Sequence, residues 1–326
     1  MLREAMEGGS ITTGTGRPTS SDARDRAVGA LVGLAVGDAV GTALEFRAPG
    51  TFTPIDDMVG GGPFGLEPGQ WTDDTSMAMC LAESILDIGE LDLADQLRRY
   101  LAWRDQGHWS STGRCFDIGT TTSAALDHFQ RTGRPVSTGP VDQDQAANGS
   151  LMRLAPVPIR WHTDPAEAAE RSGESSRSTH PADRPVDACR VYGAMIAALI
   201  GGNDIDEVLA PDFWDLGPLH PQIEAVARGS WRSGDVRGTG YVVDALGAAL
   251  WAVAGAVDFR DAVLRAANLG DDADTTAAIA GQLAGARWGL AGMPEPWVGR
   301  ITSGERIAAI AGRLFDAAAG AGSASP

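Results

Sequence analysis

Apolar and small residues recur at every third or fourth position over residues 23–46, 76–88, 94–103, 122–131, 186–200, 241–256, 259–267, 275–289 and 305–318, while two-residue alternation is nearly absent. That spacing lays a buried stripe along a helix and gives a strand no buried face. Alanine and glycine dominate these stretches, so the helices can approach one another closely. One compact many-helix domain fits this pattern better than a sheet with flanking helices. The expected fold class is all-α, with a single domain over residues 23–318. The Gly-, Ser- and Thr-rich stretch 1–22 and the short stretch 319–326 are expected to be flexible tails.

The chain has 326 residues and a formal net charge of −17, so its field repels phosphate backbones and anionic membrane surfaces. Neither a nucleic acid nor a membrane is expected as a partner, and a monomer is the expected state. Cys80, Cys115 and Cys189 are odd in number and lack CxxC or Cys/His ligand spacing, which suits ordinary thiols in a reducing compartment. No apolar run with signal-peptide features opens the chain, and acids or glycines are read as interrupting every segment before membrane-spanning length. A cytoplasmic location follows as an expectation. Long loops rich in Gly, Pro and polar residues are expected at 47–70, 104–121, 132–150, 172–185 and 229–240.

Two helix beginnings carry the chemistry. Thr72, Asp73, Asp74 and Thr75 precede one amphipathic run, and Asp271, Asp272, Asp274, Thr275 and Thr276 precede another about two hundred positions later. Asp and Thr are common helix caps, worth about 0.5–2 kcal/mol each. A cap needs one acceptor, whereas these two segments supply five carboxylates, and packed like charges need a neutralising cation. Oxygen ligands without clustered His or Cys suit Mg²⁺ or Mn²⁺ rather than zinc. In the first apolar stretch Asp38 and Glu45 stand seven residues apart, on one face if the helix is continuous. Asp38 reads equally well as an acid partnered by an Arg or by helix-end amides, and Glu45 is the better site candidate.

The segments GALVGLAVGDAVGTALEF, WTDDTSMAM, GRCFDIGTTT, NGSLMRLAPV, STHPAD, GYVVDALGAALWA and GDDADTTAAIAGQLAGA together resemble the ADP-ribosylglycohydrolase family, in family order from about Ala27 to Ala286. The resemblance implies an all-α domain holding two Mg²⁺ or Mn²⁺ ions, with Thr72, Asp73, Asp74, Asp272, Asp274 and Thr275 as ligands. It implies Glu45 as the acid beside the metals and places Asp117 in the family's CFDIG-like loop. Both are candidates for acid–base or electrostatic roles at the anomeric carbon, where two cations orient the sugar and activate a water. Asp271 departs from the pattern, because many relatives have a second glycine there.

For the rest of an ADP-ribose ligand, backbone amides of Asn148, Gly149, Ser150 and Leu151 are candidates to hold the pyrophosphate, or else form a plain turn into a helix. His180 reads as a ligand contact or a loop histidine. Tyr241 reads as an adenine-stacking ring or a core residue. Asp117 can also be a turn or capping acid. The expected activity is metal-dependent release of ADP-ribose from an acceptor, first of all arginine on a protein. The alternatives are a hydrolase of free ADP-ribosyl compounds such as O-acetyl-ADP-ribose or α-NAD, and a non-catalytic ADP-ribose reader or immunity protein.

Overall fold

The computed structural model describes residues 19–136 and 146–321, and among them the regular structure is helical, with no strand. The helices run α1 (Ser20–Gly41), α2 (Asp73–Ile88), α3 (Leu93–Gln106), α4 (Thr120–Thr132), α5 (Pro156–Arg160), α6 (Pro165–Ser176) and α7 (Asp183–Ile200). They continue with α8 (Ile205–Val208), α9 (Pro221–Ala227), α10 (Val242–Ala254), α11 (Phe259–Ala267), α12 (Ala273–Trp288), α13 (Glu295–Arg300) and α14 (Gly304–Ala321).

The centre of the molecule is the antiparallel pair α1 and α12. Gly29, Gly33, Gly37 and Gly41 recur every fourth residue on one side of α1. A Cβ on any of them would collide with the carbonyl oxygen of Gly285, Gly281, Ala277 or Ala273 on α12, in that order. The backbones therefore touch along their whole length, and no larger residue fits. Almost every residue of both helices inside this pair is buried, and α2, α7, α10, α11 and α14 pack around them. The buried Tyr192 hydroxyl of α7 donates to the Ile279 carbonyl of α12 and ties the second layer to the first. Because the pair is antiparallel, the end of α1 lies beside the start of α12, and the acids at both ends are brought together.

Several expectations need correction. The first apolar stretch is not one helix to residue 46: α1 ends at Gly41 and a 3-10 turn, Thr42–Leu44, carries Glu45 off the helix axis. Asp38 and Glu45 therefore do not share a helix face. The stretch Ser20–Leu44 does meet the length and mean hydropathy of a membrane span, at 1.7, yet 94% of that window is buried by the other helices of this protein. The expected loop 172–185 shrinks to 177–182 because α6 occupies 165–176. Its buried stripe consists of Ala168, Ala169, Ser172, Gly173, Ser175 and Ser176, which apolar periodicity does not register. The expected tails lie largely outside the described residues, but Thr19 and Asp22 form a reciprocal cap on α1, and α14 continues to Ala321. Within the expected loop 132–150, residues 137–145 also lie outside them.

Candidate active site

Neither acid-rich helix start caps itself. Thr72 and Asp272 occupy the N-cap positions of α2 and α12, and neither side chain bonds the amides of its own first turn in the capping manner. The caps come from the end of α1 instead. Asp38 Oδ1 accepts from the Thr72 amide and hydroxyl, both at 2.9 Å, and Oδ2 accepts from the Thr75 amide at 3.0 Å and hydroxyl at 2.6 Å. Glu45 Oε2 accepts from the amides of Ala273 at 2.8 Å and Asp274 at 3.4 Å. Asp38 and Glu45 thus take most of the first-turn donors from outside, while the Thr275 amide goes to Asp274 Oδ1 at 2.7 Å, and the other oxygens of the helix-start acids are left for another use.

Those acids converge. Asp38, Asp74 and Asp274 present oxygens within 4.8 Å of one another, and so do Glu45, Asp272 and Asp274, so Asp274 belongs to both groups. Asp74 Oδ1 and Asp274 Oδ2 are buried with no hydrogen-bond partner among the described residues. Carboxyl oxygens crowded within 4.8 Å of one another, as those of Glu45, Asp272 and Asp274 are, require a shared proton or a cation between them. Burial, reinforced by neighbouring carboxylates, drives Asp73, Asp74 and Asp274 well above the usual carboxylate range. Burial pushes Glu45 up to about 8, Asp117 to about 7 and Asp38 to about 6 in the metal-free protein. Unpartnered oxygens, acceptor-only chemistry and suppressed ionisation together fit a site for hard divalent cations. Thr72 suits a ligand too: its hydroxyl proton is directed at carboxylates, with Asp74 Oδ2 at 3.0 Å, leaving oxygen lone pairs for a cation.

The acids form the floor of an open cavity of about 580 Å³, large enough for a nucleotide-sized ligand. Glu45, Asp73, Asp117, Asp272, Asp274 and Thr275 line it, whereas Thr72 and Asp74 lie directly beneath. Asp117 adopts φ +59° and enters from the loop before α4, whose N-cap is Gly119, so it is not a helix cap. The backbone of Asp271, at φ +54°, pairs with the chain at Phe46 and Arg47 and locks the Glu45 segment against the start of α12.

The opposite wall is built on Asn148. Its amide donates to the Gly240 carbonyl and its side chain to Asp272 Oδ2 at 2.7 Å, so it fixes a carboxylate of the floor. Gly149 lines the cavity with the His180 imidazole packed directly over it. His180 is buried, and desolvation lowers it to about 3, with the nearby Arg153 charge adding to the effect, so its ring is neutral. Arg153 is 1% exposed and donates to the Gly149 carbonyl at 2.8 Å and to Thr179 Oγ1 at 2.8 Å. Thr179 Oγ1 lies 2.8 Å from His180 Nδ1. With the threonine oxygen accepting from Arg153, its own proton is free to go to Nδ1, which leaves Nε2 as an N–H donor on the cavity side. Gln282 of α12 donates to the Leu151 and Met152 carbonyls and holds this segment from behind.

Three expected ligand contacts are not brought to the cavity. Ser150 and Leu151 lie outside the lining, and the Leu151 amide is taken by the Asn148 carbonyl. Tyr241 lies outside the lining, its hydroxyl 2.9 Å from Gln222 Oε1 and its ring facing Arg184. The Asn148 amide is also occupied, so this residue acts through its side chain. Sequence reasoning overlooked Arg153 and Gln282. A charge inside the apolar run Leu151–Ala155 was the available signal for the first, and nothing local marked the second.

The family model for ADP-ribosylglycohydrolase matches residues 19–324. The chain is 47% identical over 302 residues to ADP-ribosylarginine hydrolase Tri1 of Pseudomonas putida (strain GB-1), covering 92% of this chain and 80% of that one. It is 42% identical over 298 residues to the protein of the same name from Serratia proteamaculans (strain 568), covering 90% and 80%. A solved structure titled ADP-ribosylglycohydrolase-related protein complex superposes with a TM-score of 0.82 at 38% identity, covering 91% of this chain and 99% of that one. The chain belongs to the ADP-ribosylglycohydrolase family, whose enzymes act on ADP-ribosylated acceptors.

Proposed function

We propose that this protein hydrolyses the bond between ADP-ribose and an arginine side chain, with two divalent cations held between the starts of α2 and α12. The observation that carries the reading is the pair of acid groups sharing Asp274, whose helix ends are capped largely by Asp38 and Glu45 and in which the buried Asp74 Oδ1 and Asp274 Oδ2 lack partners. The arginine linkage is supported by the two hydrolases of that name, 47% and 42% identical to this chain. Thr72, Asp73, Asp74, Asp272, Asp274 and Thr275 would hold the ions, and the oxygen-only set favours Mg²⁺ or Mn²⁺. Bound there, the ions would supply Lewis-acid chemistry, orienting ribose hydroxyls and acidifying a water.

The remaining work falls to the chain's own groups. Asn148 holds Asp272 in place from the far wall, and His180 offers a neutral N–H to a ligand oxygen. Asp117 and Glu45 line the cavity and titrate near neutrality when the protein is metal-free. They are the groups that take the proton of the attacking water and return one to the departing guanidine nitrogen. The water oxygen bonds the anomeric carbon as the carbon–nitrogen bond breaks, releasing ADP-ribose and unmodified arginine.

The test is release of ADP-ribose from arginine-linked and serine-linked substrates with Mg²⁺, Mn²⁺ or EDTA. Release from the arginine linkage alone, abolished by EDTA and restored by metal, is the expected result. Faster turnover of O-acetyl-ADP-ribose or α-NAD than of modified arginine would move the substrate to free compounds. Tight ADP-ribose binding without any release would leave a reader.

A further inference from the structure

Three phenylalanines from three separate loops meet at the mouth of the cleft. The Phe46 and Phe64 rings lie 6.3 Å apart edge to face, and Phe64 lies 5.2 Å from Phe116. Phe46 lines the cavity yet is 67% exposed, while Phe64 and Phe116 are half-buried and adjoin it through ring contacts. A contiguous aromatic patch in this position is not a packing requirement of the core, and exposed patches of this kind mark binding surfaces.

Two of the loops that carry the rings are pinned. Phe46 sits at φ +61°, a region that disfavours a side chain of its size, and its amide donates to the Asp271 carbonyl at 2.7 Å while the Asp271 amide donates to Arg47 at 2.8 Å. Phe64 stands on a turn closed by reciprocal bonds between Gly61 and Leu66 at 2.7 and 2.9 Å. That turn approaches the end of α1 so closely at Gly62 that a Cβ would strike the Thr42 carbonyl. Phe46 and Phe64 are thus presented on fixed backbone, which keeps their ordering cost on binding small.

Two of the rings adjoin the acids of the floor: Glu45 precedes Phe46, and Asp117 follows Phe116. Moving outward from the reacting centre, the surface is first anionic and then aromatic. A planar cation on an aliphatic stem matches both, because a guanidinium is attracted to carboxylates and to the faces of aromatic rings. A serine acceptor offers neither plane nor charge. The net charge of −17 adds a long-range attraction for a cationic acceptor. We propose that Phe46, Phe64 and Phe116 form the acceptor-side subsite, receiving the guanidinium and methylene stem of the modified arginine. This rests on the arginine-hydrolase reading and adds the element that selects the acceptor.

The test uses the metal-loaded, full-length enzyme with an ADP-ribosyl-arginine peptide as substrate. Phe46→Ala and Phe64→Ala are compared with Phe46→Trp, which keeps an aromatic face. Each variant is also titrated with ADP-ribose, which lacks the acceptor, and checked by circular dichroism for retained helix. The expected result is a loss of about 5- to 30-fold in kcat/KM for the alanine variants, carried mainly by KM. Phe46→Trp should stay within about threefold of wild type, and the Kd for ADP-ribose should change less than about twofold in every variant. Unchanged kcat/KM in both alanine variants would overturn the subsite, as would equal weakening of ADP-ribose and peptide. Failure of the wild-type enzyme to release ADP-ribose from arginine would instead remove the reading beneath it, and the subsite with it.

Discussion

The starts of α2 and α12 are near-copies in sequence and opposites in environment. Both place carboxylates and hydroxyls in the first helical turn. At α2 Asp74 lies in the interior while Asp73 reaches the cavity, and Asp38 closes the helix end with four hydrogen bonds, two from amides and two from threonine hydroxyls. At α12 Glu45 engages only two amides, and the acids face a cavity, with Asn148 and Asp117 beside them. The α2 half is held more tightly and reaches the cavity through Asp73 alone, whereas Glu45, Asp272 and Asp274 make up most of the acid face on the α12 side. One cap is structural, whereas the other is held by a residue that also lines the site. A helix-start acid therefore has to be judged by what caps the helix, because a helix capped from outside leaves its own acids available.

The sharpest test of the shared floor is Asp274→Asn. Asp274 belongs to both acid groups, so its charge serves both halves, and turnover should fall by about 10³-fold or more, with weaker divalent-cation binding by calorimetry. Helical circular dichroism should persist, since Glu45 still caps α12. Retained turnover with cation binding intact would mean that the two groups are not a common site.

The comparison between caps predicts opposite profiles for Asp38→Asn and Glu45→Gln. Asp38→Asn turns an amino group toward one set of buried donors and should cost about 2–4 kcal/mol, read by denaturant unfolding. Glu45→Gln keeps an acceptor for the α12 amides and should change stability by less than about 1 kcal/mol, while lowering kcat by about 10²- to 10⁴-fold. Equal stability losses would break the distinction between the two caps.

The smallest expected effect is on pH dependence. Burial raises Glu45, Asp117 and Asp38 to about 8, 7 and 6 from the ordinary carboxyl values of 4.5, 3.8 and 3.8, so the folded metal-free protein binds more protons than the unfolded chain between those limits. Stability then falls as pH rises from about 4 to 8 and levels off above Glu45. In EDTA the melting temperature should be several degrees higher at pH 5.5 than at pH 8, each kcal/mol moving it by at most about 2–4 °C in a chain of this size. Saturating Mg²⁺ should shrink that difference, since a cation neutralises the acids without protons. A metal-free protein whose melting temperature rises from pH 5.5 to pH 8 would contradict the burial of these carboxyls.

Much of this was legible in the residues. The period of the apolar positions specifies helices, because only a helix turns a residue inward every third or fourth step. The acid excess at residues 72–75 and 271–275 also pointed to a cation, because stacked like charge needs compensation wherever the chain places it. Local pattern was too weak for α6, whose buried face is made of Ala, Ser and Gly, and for the turn at Thr42–Leu44 that separates Glu45 from Asp38.

The sequence by itself determined an all-helical chain carrying two acid-rich helix starts and a close-packing, glycine-rich first helix. Only the tertiary structure decided that α1 and α12 run antiparallel in backbone contact, which brings residues 38–45 and 272–275 to one place. Only it assigned Asp38 to one helix end and Glu45 to the other, turned Asn148 toward Asp272, and placed neutral His180 beside the buried Arg153. Periodicity is a property of neighbours in the chain, so sequence carries it. A hydrogen bond between residues more than a hundred positions apart depends on which helices pack and in which direction, and no local pattern encodes that.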